Sequence, residues 1–207
     1  MKKLITILAI VLLATSSARI IEVADAGVTD KLKAVIAAKN APAASGAFNL
    51  GVDTELANAN DFGNDQAGMY RVQASGSGTL GDAYIYYNYA SGAKNCIVCV
   101  YNAAASGAPD ASDTKVGCSS AIASGSTEGF KTAAMDGGSV VSGNYYWIAI
   151  FVESGGDAWW AAQGNEVGKS LWYLSGSGYY ASQPADASGM SNESPNAGEM
   201  SIYVTVE

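Results

Sequence analysis

The chain has 207 residues, a length that suits one main domain with a short appendage. Hydrophobic residues make up 49% and charged residues only 14%, with 24 glycines against 4 prolines, so the sequence is turn-rich but foldable and a disordered chain is excluded. The 11 basic and 19 acidic residues give a net charge of −8, and there is no histidine, which rules out Ser-His-Asp and Cys-His nucleophiles, HExxH metal sites and histidine proton shuttles.

Residues 1–18, MKKLITILAIVLLATSSA, read as a secretory signal peptide. Lys2 and Lys3 form its basic start, Leu4 to Ala14 its apolar centre, and Ser16-Ser17-Ala18 its small-residue cleavage site. An apolar centre of eleven residues, Thr6 among them, falls far short of the roughly 20 that span a bilayer, so the mature chain is expected to be secreted or at a cell surface, without membrane insertion. Residues 19–46 predict a short helix over about 29–39, with Leu32, Val35 and Ile36 at helical spacing, followed by the linker-like NAPAASG of residues 40–46. Beyond Ala41 the basic residues are five and scattered (Arg71, Lys94, Lys115, Lys131, Lys169), so nucleic acid is not an expected partner.

From residue 47 to 207 the pattern turns to short runs of period two or continuous apolar character, broken by Gly, Ser, Asn and Asp every ten or so residues. It predicts strands near 47–52, 68–75, 82–89, 95–102, 114–119, 129–134, 144–153, 157–163, 169–174 and 200–206. The expected fold is all-β, an antiparallel jelly-roll or β-sandwich of about 8–10 strands. In the last strand, Met200, Ile202, Val204 and Val206 share one face, expected to be core. Residues 175–198 carry no strand pattern, and a loop of that length is expected to fold over an edge of the sandwich.

Four segments carry a family resemblance: CIVCVYNAAASGAPDASDTKVG from Cys96 to Gly117, Phe130, VVSGNYYWIAIFVE from Val140 to Glu153, and MSIYVTV from Met200 to Val206. An aliphatic-x-aliphatic-Tyr strand leads to the turn Gly107-Ala108-Pro109. The strand Val141 to Ala149 and a terminal S-I-Y strand follow. Together these resemble an extracellular jelly-roll module of bacterial and phage surface proteins, similar to carbohydrate-binding modules, over roughly residues 67–206. The chain departs from the pattern where Phe130 replaces a common Trp and in its paired cysteines. The resemblance implies an accessory module that binds glycans or packs against neighbours, and it implies no catalytic residues.

The three cysteines, Cys96, Cys99 and Cys118, are too few for a zinc site without histidine. In an exported chain a disulfide is the better reading. Residues three apart on a regular strand face opposite ways, so Cys96 and Cys99 should not pair with each other. Cys118 is expected to bond to Cys99 or to Cys96, with Cys99–Cys118 the preferred pairing, and the remaining thiol to be a small buried hydrophobe. No cofactor is expected beyond a structural calcium, for which the oxygen-rich NANDFGND of residues 58–65 and the Asp110/Asp113 turn are the candidates. The carboxylates Glu153, Asp157, Glu166 and Glu193 flank the aromatic region, but no spacing singles out an acid–base pair, and the chain is read as non-enzymatic.

Ten of the 20 aromatic residues, all four tryptophans included, lie between Val141 and Ala181. In the strand from Asn144, alternation puts Tyr146, Ile148, Ile150 and Val152 on one face, expected to be core. Tyr145, Trp147, Ala149 and Phe151 share the other, which must meet water, a ligand or a covering loop. The expected ligand-binding residues are Trp159 or Trp160 first, then Trp147, Trp172 and Tyr145, with Asp157, Gln163 and Asn165 as polar neighbours. The expected partner is a glycan, bound on these rings. The alternative is a neighbouring surface protein or a second copy of the chain, in a structural subunit or adhesion module of an extracellular or virion assembly.

Overall fold

A computed structural model describes residues 47–56, 58–59, 66–88, 94–154, 159–160, 162–163, 170–175, 179–190, 192–195 and 198–207. The signal peptide, the helix over 29–39 and the linker lie outside the described residues, as do Asp157, Asn165 and most of the residue 58–65 cluster. No helix among the described residues is long and apolar enough to cross a membrane.

The described chain is all β. Its longer strands are β1 (Phe48–Gly51), β3 (Gln66–Gln73), β4 (Gly78–Asn88), β5 (Asn95–Ala103), β6 (Lys115–Cys118), β8 (Gly129–Ala134), β10 (Tyr145–Val152), β13 (Ser170–Ser175), β14 (Asn192–Pro195) and β15 (Ile202–Val206). Two-residue strands fill the gaps: β2 (Asn58–Ala59), β7 (Ile122–Ala123), β9 (Ser139–Val140), β11 (Trp159–Trp160) and β12 (Ala162–Gln163). One sheet runs β1-β15-β4-β11, with β8 and β9 also on β4; the other runs β14-β13-β3-β10-β5-β6, with β7 on β5. Every pairing is antiparallel. The result is a β-sandwich.

The alternation in the sequence explains the main core. Ile148 and Ile150 from β10, Val98 and Val100 from β5, Ala83 and Ile85 from β4, and Ile202 and Val204 from β15 meet between the sheets, with Cys96 among them. Tyr70 of β3 crosses this core. Its hydroxyl donates to the Ile202 carbonyl at 2.6 Å and accepts from the Val52 amide at 3.3 Å, tying one sheet to the end of β1. Burial pushes the ionisation of that hydroxyl far up, so it remains a neutral donor. Gly51 lets the strands approach: at φ 116° it adopts a backbone conformation that side chains disfavour, and a Cβ there would stand 2.3 Å from the Ile202 carbonyl oxygen.

A second core lies on the opposite face of the seven-stranded sheet. Met69, Cys99, Tyr101, Trp147, Ala149 and Phe151 pack there against Ala187 and Met190. The last two belong to a strap, residues 179–190, whose backbone is tied to the start of β6 and the residues just before it. Lys115 N–H donates to Ala185 O at 2.9 Å and Ala187 N–H to Asp113 O at 3.1 Å. The Tyr101 hydroxyl adds a bond to Pro184 O at 3.1 Å. The aromatic side of β10 therefore meets a covering loop.

Within the run 157–163, β11 joins the six-stranded sheet, whereas β12 pairs with β2 in a two-stranded piece. One sequence expectation needs correction here: residues 175–198 are not strand-free, because Asn192–Pro195 forms the edge strand β14, a position where proline costs no ladder bond.

Candidate functional site

The register of the seven-stranded sheet builds the site. Residues directly opposite in an antiparallel pair share a face. Glu193, Trp172, Met69, Ala149, Cys99 and Cys118 therefore form one row across the outer face. Arg71, Trp147, Tyr101 and Lys115 form the next. Gln73, Tyr145 and Ala103 form a third. The strap covers the Cys99–Tyr101 side through Ala187 and Met190. Toward the other side a cleft of about 520 Å³ opens, lined by Arg71, Tyr145, Trp147, Trp172 and Glu193 with Gly107 of the β5–β6 loop. None of the strap residues lines it.

Trp147 forms the buried end of this cleft, and at 1% exposure it is core; the expectation that it offers a free stacking face is corrected. The Arg71 guanidinium lies over its ring, 4.3 Å from the centroid, a cation–π contact that occupies that face. The indole Nε1 donates to Asp113 Oδ2 at 2.8 Å, and the same oxygen accepts from the Asp110 amide at 3.2 Å. Arg71 in turn donates to the carbonyls of Ala105, at 3.3 Å, and of Gly107. Gly107, at φ 98°, adopts the left-handed conformation open to glycine as it presents that carbonyl. Arg71, Trp147 and Asp113 thus form one network that fixes the β5–β6 loop as a wall of the cleft. Partial burial of Arg71 lowers the affinity of its guanidinium for the proton, while the Asp113 carboxylate acts in the opposite direction.

Of the expected binding residues, Tyr145 and Trp172 reach this cleft as half-buried rings, beside the core Trp147. The backbone of Trp159 and Trp160 pairs with Asn88 and Tyr87 of β4, in the other sheet, and that of Gln163 with Asn58. One sequence cluster of aromatics is therefore divided between sheets. Arg71 and Glu193 were not legible as binding residues: an isolated arginine and a loop-like acid give no local signal, and only cross-strand register sets them beside Trp147 and Trp172.

A different aromatic group stands on the outer face of the six-stranded sheet. Tyr84 and Tyr203 stack with centroids 4.7 Å apart, and Phe130 meets Tyr203 edge-on at 5.5 Å. Tyr86 closes the row against Phe130 at 5.3 Å and donates to Glu128 at 2.8 Å. These rings meet one another by stacking or edge-on, which suits cross-strand packing.

The Asp110/Asp113 turn is held by its own hydrogen bonds. Asp110 Oδ1 accepts from the Ser112 amide at 2.7 Å and its hydroxyl at 2.5 Å, which holds the Asp110 carboxyl below the ordinary aspartate range. Asp186 and Ser188 repeat the arrangement in the strap, with the same effect on Asp186. A carboxyl depressed by folding adds stability above its unfolded pKa and loses it as pH falls through the folded value. Carboxyl-carbon NMR titration should place both groups below a model aspartate, and Ser112→Ala should raise Asp110 alone. An unmoved Asp110 in that variant would show that the hydroxyl does not set its proton affinity. No cluster of three or more Asp, Glu or Cys suited to a metal occurs among the described residues.

The cleft can hold a ligand with apolar faces against Tyr145 and Trp172 and polar groups toward Arg71 and Glu193. Comparison of the chain with family models, with curated proteins and with solved structures finds no match, so its chemistry is read from these residues.

Proposed function

We propose that this chain is a secreted, non-enzymatic β-sandwich that binds carbohydrate at a cell or particle surface in the Tyr145–Trp172 cleft. The observation that carries the reading is the lining itself: two half-buried rings set beside one guanidinium and one carboxylate in a recess of about 520 Å³. Sugar rings offer apolar C–H faces to aromatic side chains and hydroxyls to a few placed polar groups, the division found in ligand pockets generally. The Cys99–Cys118 disulfide supports an oxidising, extracytoplasmic setting. The family resemblance points the same way.

Glycan-array screening of the monomer followed by calorimetry tests it. Tyr145→Ala should weaken the selected glycan by about tenfold or more, in the range of a lost stacking contact, while the thermal midpoint stays within a few degrees. Retention of full affinity by both Tyr145→Ala and Trp172→Ala would remove the cleft from the reading.

A second reading, a structural or adhesion subunit that packs against copies or neighbours, is favoured by the half-exposed Tyr84, Tyr203 and Phe130 on the six-stranded sheet. Concentration-dependent assembly lost in Tyr203→Ser, without glycan binding, would favour it.

A further inference from the structure

We propose that the glycan bound in the cleft is acidic, and that Arg71 is the residue that reads its carboxylate. The inference rests on the carbohydrate reading above and adds the ligand's chemical class. Among the described residues, Arg71 is the only lysine or arginine in the lining of the cleft. Its position is fixed on three sides: the Trp147 ring below it, and the Ala105 and Gly107 carbonyls at its terminal nitrogens. A guanidinium held in one plane is pre-organised for a planar two-oxygen partner, so little side-chain entropy remains to be lost on binding.

Its donors are not exhausted. Arginine carries five N–H donors, and the two carbonyls meet two of them. Nε is shut from solvent and has no acceptor. A shielded donor without a partner is disfavoured, and a carboxylate laid along the guanidinium edge, with a small outward adjustment of the cleft wall, supplies one. A neutral hydroxyl would satisfy a single donor, where a carboxylate offers two acceptor oxygens and an opposite charge.

The chain's net negative charge opposes any anion at long range, but charges beyond about 8 Å are largely screened at physiological salt, so the local contact decides.

A sugar carboxylate can come from a uronic acid or from a sialic acid, and the test carries both. Calorimetry on the intact secreted protein would compare an oligogalacturonate with its methyl ester, and sialyllactose with its methyl ester. One acid of the two should bind about 10–100-fold more tightly than its ester, the span of a bidentate charge-assisted pair. Identity of that acid settles the source. Because the esters are tested on the unaltered protein, the result does not depend on a variant folding. Arg71→Gln, checked for an unchanged circular dichroism spectrum, should erase the acid–ester difference, and Arg71→Lys should retain part of it.

Equal binding of acid and ester, or selection of neutral glycans alone on an array, would overturn the acidic-ligand inference and leave the carbohydrate reading standing. An array on which no glycan of any class is retained would overturn both.

Discussion

Trp147→Ala should destabilise the domain by about 3–5 kcal/mol, the cost of truncating a fully buried aromatic. The ring is 1% exposed and packs with Met69, Tyr101 and Phe151 in the core beneath the strap. Truncation also takes the indole N–H from Asp113, a carboxylate only 3% exposed, and removes the surface on which Arg71 rests. Trp147→Phe separates the contributions. It keeps most of the packing and should cost about 1–3 kcal/mol, chiefly from leaving that buried acceptor short of a donor. Urea denaturation of the two variants gives both numbers. A loss below about 1 kcal/mol for the alanine variant would mean that the ring is not structural, contrary to its burial. The same comparison separates core from cleft, because Tyr145→Ala acts on a half-buried side chain and should leave the unfolding midpoint near its original place.

The all-β class and most strand positions follow from period-two alternation, and β10 shows why. Once Ile148 and Ile150 are assigned to the core, Trp147, Ala149 and Phe151 must face the other way, and they do. Alternation leaves undetermined what lies beyond that second face. The strap that covers it joins through backbone bonds from residues 185 and 187 to residues 113 and 115, contacts between chain segments some 70 residues apart that no local pattern encodes. The same limit divides the aromatic region. Trp160 and Trp172 are close in sequence, yet one pairs with β4 and the other with β3, because the chain changes sheets between them. Short edge elements are illegible for a different reason. Strands such as Ile122–Ala123 and Ser139–Val140 contain no full period, and Asn192–Pro195 has the composition of a turn. Alternation places Tyr203 on the face of β15 opposite Ile202 and Val204, but its stacking on Tyr84 comes from the β4–β15 register, which no local pattern encodes.

Removing the disulfide is expected to cost about 3 kcal/mol, the chain-entropy estimate for a loop of this size. Cys99 and Cys118 are joined at a sequence separation of 19, directly opposite one another in the β5–β6 pair. The bond fastens β6, the edge of the seven-stranded sheet, at the end of the row that passes under the strap toward Trp172. Cys96 cannot take over either partner. It belongs to the core between the sheets, on the opposite face of β5, and burial pushes its thiol well above the ordinary range, so it stays protonated and shielded. The native protein should therefore resist alkylation completely. Unfolding without reductant should expose one alkylatable thiol, and unfolding with reductant three. The Cys99→Ala, Cys118→Ala double variant should show the loss of stability with a steeper slope against denaturant, because the unfolded chain without the cross-link exposes more surface, while Cys96→Ala should cost less, as a small truncation in the main core. Two or three thiols modified in the unreduced, unfolded chain would show that the cross-link is absent from the protein. With the bond in place, the β6 edge and the Asp113–Trp147–Arg71 network are held by the same short loop, so reducing the disulfide should also weaken the glycan binding proposed for the cleft, and reoxidation should return both stability and binding together.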